Sequence, residues 1–291
     1  MQARFLDPAG LARVGNMELV AKHVVEGFLT GRHRSPYHGF SVEFLDHRAY
    51  TPGDDLRGLD WKIVARTNKY YVKLFEDETN LRAYILLDCS RSMAFKTGDM
   101  DKLSYGGHLA AALAYLLLRQ NDSVGLVTFD SAVRDFIPPK AHPSQFRRIL
   151  NSLEGIQPGG ETDVGAVLHD VAERIQRRCL VIVISDLLDE ESRLSNGLQH
   201  FRHNRHEVLA LHVMDPAELE LPYEQPMRFE GLEGEPHVEV DPGGLRRRYR
   251  EAIDAFVASC RRRVVAAGAR YLLARTDIPP EHTLLQLLRD G

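Results

Sequence analysis

The residues with the clearest chemistry are Asp88, Ser90 and Ser92, set directly after the apolar run Tyr84-Ile85-Leu86-Leu87. A short apolar run closed by polar residues reads as a buried strand. A carboxylate at its end, with hydroxyls at alternate positions, offers hard oxygen donors suited to a divalent cation such as Mg²⁺. Two later segments supply matching groups. Thr162 follows the glycine-rich turn Gly159-Gly160-Glu161, and Asp186 ends the apolar run Val181–Ile184 through Ser185. In a parallel α/β sheet ligands collect at the carboxyl ends of strands, where these segments can converge.

That placement requires an alternation of strands and helices, and from Arg82 onward the chain shows one. Strands are expected at Arg82–Leu87, Val124–Phe129, Cys179–Ser185, Val208–Val213 and Arg270–Ala274. Helices are expected at Lys102–Arg119, Ser144–Leu153, Val164–Arg177, Glu190–Arg202 and Leu245–Ala267. Continuous apolar strands separated by helices imply a mostly parallel central sheet covered on both faces, a Rossmann-like α/β fold. Ala132–Ile137, just after Asp130-Ser131, is expected as an antiparallel edge strand. Asp215-Pro216 reads as an N-cap with proline at the first helical position, and Asp241-Pro242 as another helix start. The connection 218–240, rich in Glu, Pro and Gly, carries no periodicity, and long connections often bind partners.

Residues 1–80 differ and are read as an N-terminal extension of the α/β domain at 81–291. A helix is expected at Pro8–Leu29 and strand-like alternation at Phe40–Phe44 and Tyr70–Phe75. Between those strands lie Asp54, Asp55 and Asp60, interleaved with Arg48, Arg57 and Arg66, which favours internal charge pairing over a second metal cluster. Trp61, the single tryptophan, is expected to anchor the extension.

The chain of 291 residues is 44% hydrophobic and 27% charged with a net charge of −4. Such a balance offers no global field for nucleic acid, and the arginine runs at 246–248 and 261–263 read as the solvated face of a helix. Three cysteines, Cys89, Cys179 and Cys260, with no paired spacing argue for a reducing compartment rather than a disulfide framework. The longest apolar run, Leu109–Leu118, is about half a bilayer span. A cytoplasmic protein without a membrane span is therefore expected. His142, His169 and His212 share no ligand spacing, and a catalytic role for them is disfavoured.

The ordered set Asp88, Ser90, Ser92, Thr162, Asp186 resembles the metal-ion-dependent adhesion site of von Willebrand factor A domains. The segment Arg48–Trp61, with Gly31–Ser35 and Ala65-Arg66-Thr67, resembles the hallmark of the bacterial DUF58 family, whose members carry such a domain and are typically encoded beside MoxR-type AAA+ ATPases. The resemblance spans about residues 20 to 275. It implies direct coordination of Mg²⁺ (or Mn²⁺ or Ca²⁺) by Ser90 and Ser92 and conditional coordination by Thr162. Asp88 and Asp186 would then act through bound water. It also implies a non-enzymatic adaptor or co-chaperone, whose metal receives an Asp or Glu carboxylate from a protein partner, the MoxR-type ATPase or its client. The alternative is a Mg²⁺-dependent hydrolase or phosphatase, since Mg²⁺ beside carboxylates can activate water. Against it, the chain lacks GxxxxGK[ST], GxSxG and HExxH, and Ser90 stands where an aspartyl-nucleophile phosphatase carries a second Asp.

Overall fold

The computed structural model describes residues 21, 41–49, 63, 70–78, 81–232 and 237–289. The chain divides into two compact units, one at Ser35–Leu81 and the other holding Arg82–Gly291 together with Met1–Arg34. Within the smaller unit, β1 (Ser41–Ala49) and β2 (Tyr71–Glu78) pair antiparallel, with a register shift between Phe44 and Asp46. The expected Pro8–Leu29 helix, Trp61 and the Asp54/Asp55/Asp60 cluster fall outside the described residues, except for helical Ala21.

The larger unit alternates as its sequence requires. In order come β3 (Arg82–Asp88), a 3₁₀ turn (Arg91–Ala94), α1 (Lys102–Arg119), β4 (Ser123–Phe129), β5 (Val133–Lys140), α2 (Pro143–Glu154) and α3 (Val164–Arg174). Then follow β6 (Leu180–Ser185), α4 (Glu191–His203), β7 (Glu207–Met214), α5 (Pro216–Glu220), β8 (Met227–Phe229) and β9 (Val238–Val240). The unit closes with α6 (Pro242–Ala266), β10 (Arg270–Arg275) and α7 (Pro280–Arg289).

Six strands form one sheet in the order β10-β7-β6-β3-β4-β5. All neighbours run parallel except β4–β5, so the expected edge hairpin is present. From β3 the chain first moves outward to β4 and β5, then returns to place β6 on the opposite side of β3. This reversal makes the β3–β6 boundary a topological switch point, where a crevice opens beyond the carboxyl ends.

Strand alternation assigns the two faces. Tyr84 and Leu86 point into a core shared with α3, α4 and α6, including Val164, Leu168, Leu198, Phe201, Cys260 and Val264. Leu87 faces α1 instead: a Cβ built on Gly106 of α1 would lie 3.0 Å from its side chain. Burying such a continuous apolar layer contributes roughly 25 cal/mol per Å² removed from water. The α3–α4 contact depends on two glycines. A Cβ on Gly165 would meet the Arg193 backbone, and one on Gly197 would lie 2.8 Å from the Leu168 Cβ.

Several boundaries differ from the sequence reading. Helix α3 stops at Arg174, because Ile175 turns extended and buries itself in the core. Helix α6 starts at Pro242, as the Asp241-Pro242 pair predicts, with Asp241 capping Gly243 ahead of the periodic stretch from Leu245. Within 218–240 two three-residue strands, β8 and β9, pair as a hairpin. Helix α7 was not anticipated; its Tyr105–Thr283 hydroxyl contact, 2.8 Å, ties it to α1. Among the described residues, no helix is long and apolar enough to cross a membrane.

Candidate metal centre

Asp88 is the last residue of β3 and is fully buried. Its Oδ1 accepts the backbone N–H of Ser90 at 2.9 Å, and its Oδ2 accepts the Ser185 hydroxyl at 2.6 Å. The first bond closes a local turn that folds the chain out of the strand. The second follows from register: Leu87 stands opposite Ile184, so the next residue of each strand meets across the switch point.

Beyond the turn, the hydroxyls line up. Ser90 Oγ lies 3.0 Å from Ser92 Oγ, and Ser92 Oγ lies 3.4 Å from Thr162 Oγ1. The Thr162 loop is pinned by backbone bonds on either side of Ser90. Gly159 N–H donates to the Cys89 carbonyl at 3.0 Å, and Arg91 N–H to the Gly160 carbonyl at 3.2 Å. Gly160 has φ +75, a left-handed conformation in which a side chain would also collide with Asp130. Asp130 is held there by Arg134 Nε at 2.6 Å, and Arg134 also donates to the Gln157 carbonyl at 2.7 Å.

Asp186 follows β6 and is fully buried. The chain leaves the strand through Leu187 in a left-handed conformation, φ 53, whose strain is of order 1–2 kcal/mol. This turn returns Leu188 N–H to Asp186 Oδ1 at 3.3 Å. The other oxygen, Oδ2, is taken by Lys102 Nζ at 2.8 Å. Lys102, the first residue of α1, has no exposed side-chain surface and also pairs with Glu218 Oε1 at 2.7 Å. Burial pushes the Lys102 pKa down, but the Asp186 and Glu218 carboxylates outweigh it and hold it above the ordinary value.

Glu218 belongs to the capping box of α5. Its second oxygen accepts the Asp215 N–H at 2.9 Å while Asp215 caps Ala217. This confirms Asp215-Pro216 as a helix start and gives its carboxylate a full set of partners, including the Thr97 N–H at 3.1 Å.

The electrostatics follow from these contacts. Burial, then the neighbouring Asp186 carboxylate, push the Asp88 pKa up to about 7. The Lys102 ammonium lies against Asp186 and Glu218, whereas Asp88 meets an amide and a hydroxyl donor. Among the described residues no three His, Cys, Asp or Glu side chains converge as a metal set, so an ion here must lean on hydroxyl oxygens. The donor chemistry suits a hard ion. Six ligands at 2.0–2.1 Å around Mg²⁺ stand about 3 Å apart along the edges of an octahedron, and the Ser90–Ser92 separation is 3.0 Å. The structure thus joins Asp88, Ser90, Ser92 and Thr162 in one chain of contacts and couples Asp186 to Asp88 through charge.

The remaining candidates have structural partners. Cys89 is buried and its thiol donates to the Phe129 carbonyl at 2.9 Å; all three cysteines are free and buried. His142 caps α2 through the Ser144 N–H. His169 is exposed and its ring lies tilted against His200. His212 is buried with Nδ1 2.7 Å from the Tyr271 hydroxyl, and burial pushes its pKa down to about 4. Lys102 escaped the sequence reading, because a lysine opening an amphipathic helix ordinarily extends into water.

The uncharacterized protein Rv1480 of Mycobacterium tuberculosis is 28% identical over 278 residues, covering 93% of this chain and 86% of that protein. An aerotolerance-related membrane protein from Bacteroides fragilis covers 72% of this chain and 100% of its own, at 18% identity with TM-score 0.51, a likeness of fold. The SpRpn10 VWA domain covers 72% of this chain and 95% of its own at 11% identity, with TM-score 0.43. The family described as "Protein of unknown function DUF58" matches residues 46–262. The chain belongs to the DUF58 family.

Proposed function

We propose that this protein is a non-enzymatic interaction module that binds a partner through a divalent cation, Mg²⁺ in the first instance, at Asp88, Ser90, Ser92, Thr162 and Asp186. One observation carries the reading: an oxygen-only donor chain at the switch-point crevice, beside the buried carboxyl groups of Asp88 and Asp186. When bound, the ion supplies an electron-poor centre able to accept a carboxylate from the partner. Ser90 and Ser92 offer neutral hydroxyl oxygens, so little donor charge offsets the ion on that side. Asp88, braced by Ser185, and Asp186 supply the charge that retains it. Thr162, on a loop pinned to Cys89 and Arg91, adds a third hydroxyl, the donor that the resemblance makes conditional on the partner.

Binding is favoured over hydrolysis because the nearby ammonium is committed and the nearby imidazole is buried away from water. Lys102 is held between two carboxylates, and the neutral His212 is held by Tyr271. The family resemblance makes a MoxR-type AAA+ ATPase, or its client, the candidate partner, with this chain as adaptor or co-chaperone in complex maturation. The test is affinity capture of a purified MoxR-type ATPase by the full chain. Capture should occur in Mg²⁺ and disappear both in EDTA and with Asp88→Ala. Equal capture in all three conditions refutes metal bridging, and phosphoester turnover lost in Asp88→Ala would favour the hydrolase.

A further inference from the structure

Lys102 makes little sense as a stabilising residue alone. Its side chain is wholly buried at the N-terminus of an 18-residue helix, where the helix dipole opposes a cation. Buried ion pairs often contribute no more than well-packed apolar residues of similar volume, because desolvation offsets the attraction. Its position is nevertheless tightly specified. Nζ lies 2.8 Å from Asp186 Oδ2 and 2.7 Å from Glu218 Oε1, with the Phe95 ring centroid 6.0 Å away. With Leu188 N–H on Oδ1, both oxygens of Asp186 are already engaged.

We propose that Lys102 is a built-in competitor of the divalent ion, which sets a weak affinity and favours Mg²⁺ over Ca²⁺. The inference rests on the metal reading above. Its ammonium neutralises Asp186 in the absence of an ion and repels an arriving dication. It also blocks bidentate use of Asp186. Ca²⁺ takes 6–8 oxygen ligands and commonly uses bidentate carboxylates, whereas Mg²⁺ is content with six ligands and keeps waters. Holding Asp186 to a charge at a distance therefore penalises Ca²⁺ more. Glu218 sets the strength of the competitor, since it shares the ammonium and draws part of it away from Asp186.

The test is calorimetric titration of the full chain with MgCl₂ and, separately, CaCl₂. It compares wild type, Lys102→Met, Glu218→Gln and the double variant, with folding checked by circular dichroism. Lys102→Met should tighten Mg²⁺ binding by about tenfold or more and Ca²⁺ binding by a larger factor, narrowing the difference between the ions. Glu218→Gln should weaken binding in the wild-type background and have a smaller effect beside Lys102→Met. A folded Lys102→Met protein with unchanged or weaker Mg²⁺ affinity, in a wild-type background that binds, overturns the competitor and leaves the metal reading standing. Failure of both proteins to bind either ion overturns the metal reading and the competitor with it. Should Lys102→Met fail to fold, Lys102→Gln, which keeps a polar head between the carboxylates, is read by the same criteria.

Discussion

Ser185 and Asp88 meet across the boundary between β6 and β3, the hydroxyl donating to the carboxylate at 2.6 Å. Both are fully buried, so this bond is the main support of the Asp88 charge from the neighbouring strand. Removing it by Ser185→Ala should cost about 1–3 kcal/mol of stability, the penalty for a buried acceptor stripped of its donor. It should also weaken Mg²⁺ binding by roughly tenfold, as protonation of Asp88 becomes easier. Denaturant unfolding and calorimetry of the same variant check both effects; an unchanged midpoint would show that Ser185 carries no such load.

Asp88→Asn should have opposite effects on the two states. Without metal it removes a buried charge that Asp186 repels, so the ion-free protein should gain on the order of 1 kcal/mol. With metal it should lose the extra stabilisation that a bound ion confers. Thermal melts in EDTA and in Mg²⁺ provide the comparison. Wild type is expected to rise in Mg²⁺ and the variant to stay level.

The pH dependence contains two opposed contributions. His212 has its pKa lowered by burial to about 4, below the ordinary 6.5. Between those values the unfolded chain takes up a proton that the folded chain refuses, so stability falls as pH drops from about 6.5 to 4. The ceiling of this loss is about 3 kcal/mol. Asp88, raised to about 7, binds its proton more readily when folded and works the other way over the window 7 to 3.8. His212→Asn, which can still accept from Tyr271, isolates the first contribution. Its stability at pH 4 relative to pH 7 should exceed that of wild type, as read from denaturant midpoints; parallel curves would contradict the assignment.

The α3–α4 contact should tolerate no methyl group. Gly165→Ala places a Cβ against the Arg193 backbone and should destabilise by about 2–3 kcal/mol. Gly244→Ala in α6, where a Cβ meets nothing within 4 Å, should be neutral or stabilising by up to about 1 kcal/mol. Because α3 begins just after Thr162, the first variant should also blunt the contribution of Thr162 to metal affinity.

Much of the sheet was readable because parallel strands must be apolar on both faces. Tyr84–Leu87 and Val181–Ile184 are uninterrupted for that reason, and the first polar residue after each marks the crevice. The edge strand β5 was readable from its closeness to β4. Strands β8 and β9 were not, since three residues cannot establish a period. Helix α7 did leave a signal, Pro280 at its first turn and Leu284, Leu285, Leu287 and Leu288 behind it, which the sequence reading passed over. At the site, Ser90, Ser92 and Thr162 were legible through strand ends and a glycine turn. Lys102 was not, because its burial arises only when β6 and α5 close over the start of α1.

Strand β3 is paired along both edges, with β4 on one side and β6 on the other. Its amides can reach solvent only when the whole sheet opens, so hydrogen exchange at Ile85–Leu87 should report global unfolding. Asp88 is thus mounted on an interior strand of the sheet, while Thr162 sits on a loop joined to it by two backbone bonds. Any gain or loss of an ion would then be registered as altered protection in the 159–162 segment, against a backbone at Asp88 that keeps the same slow rate.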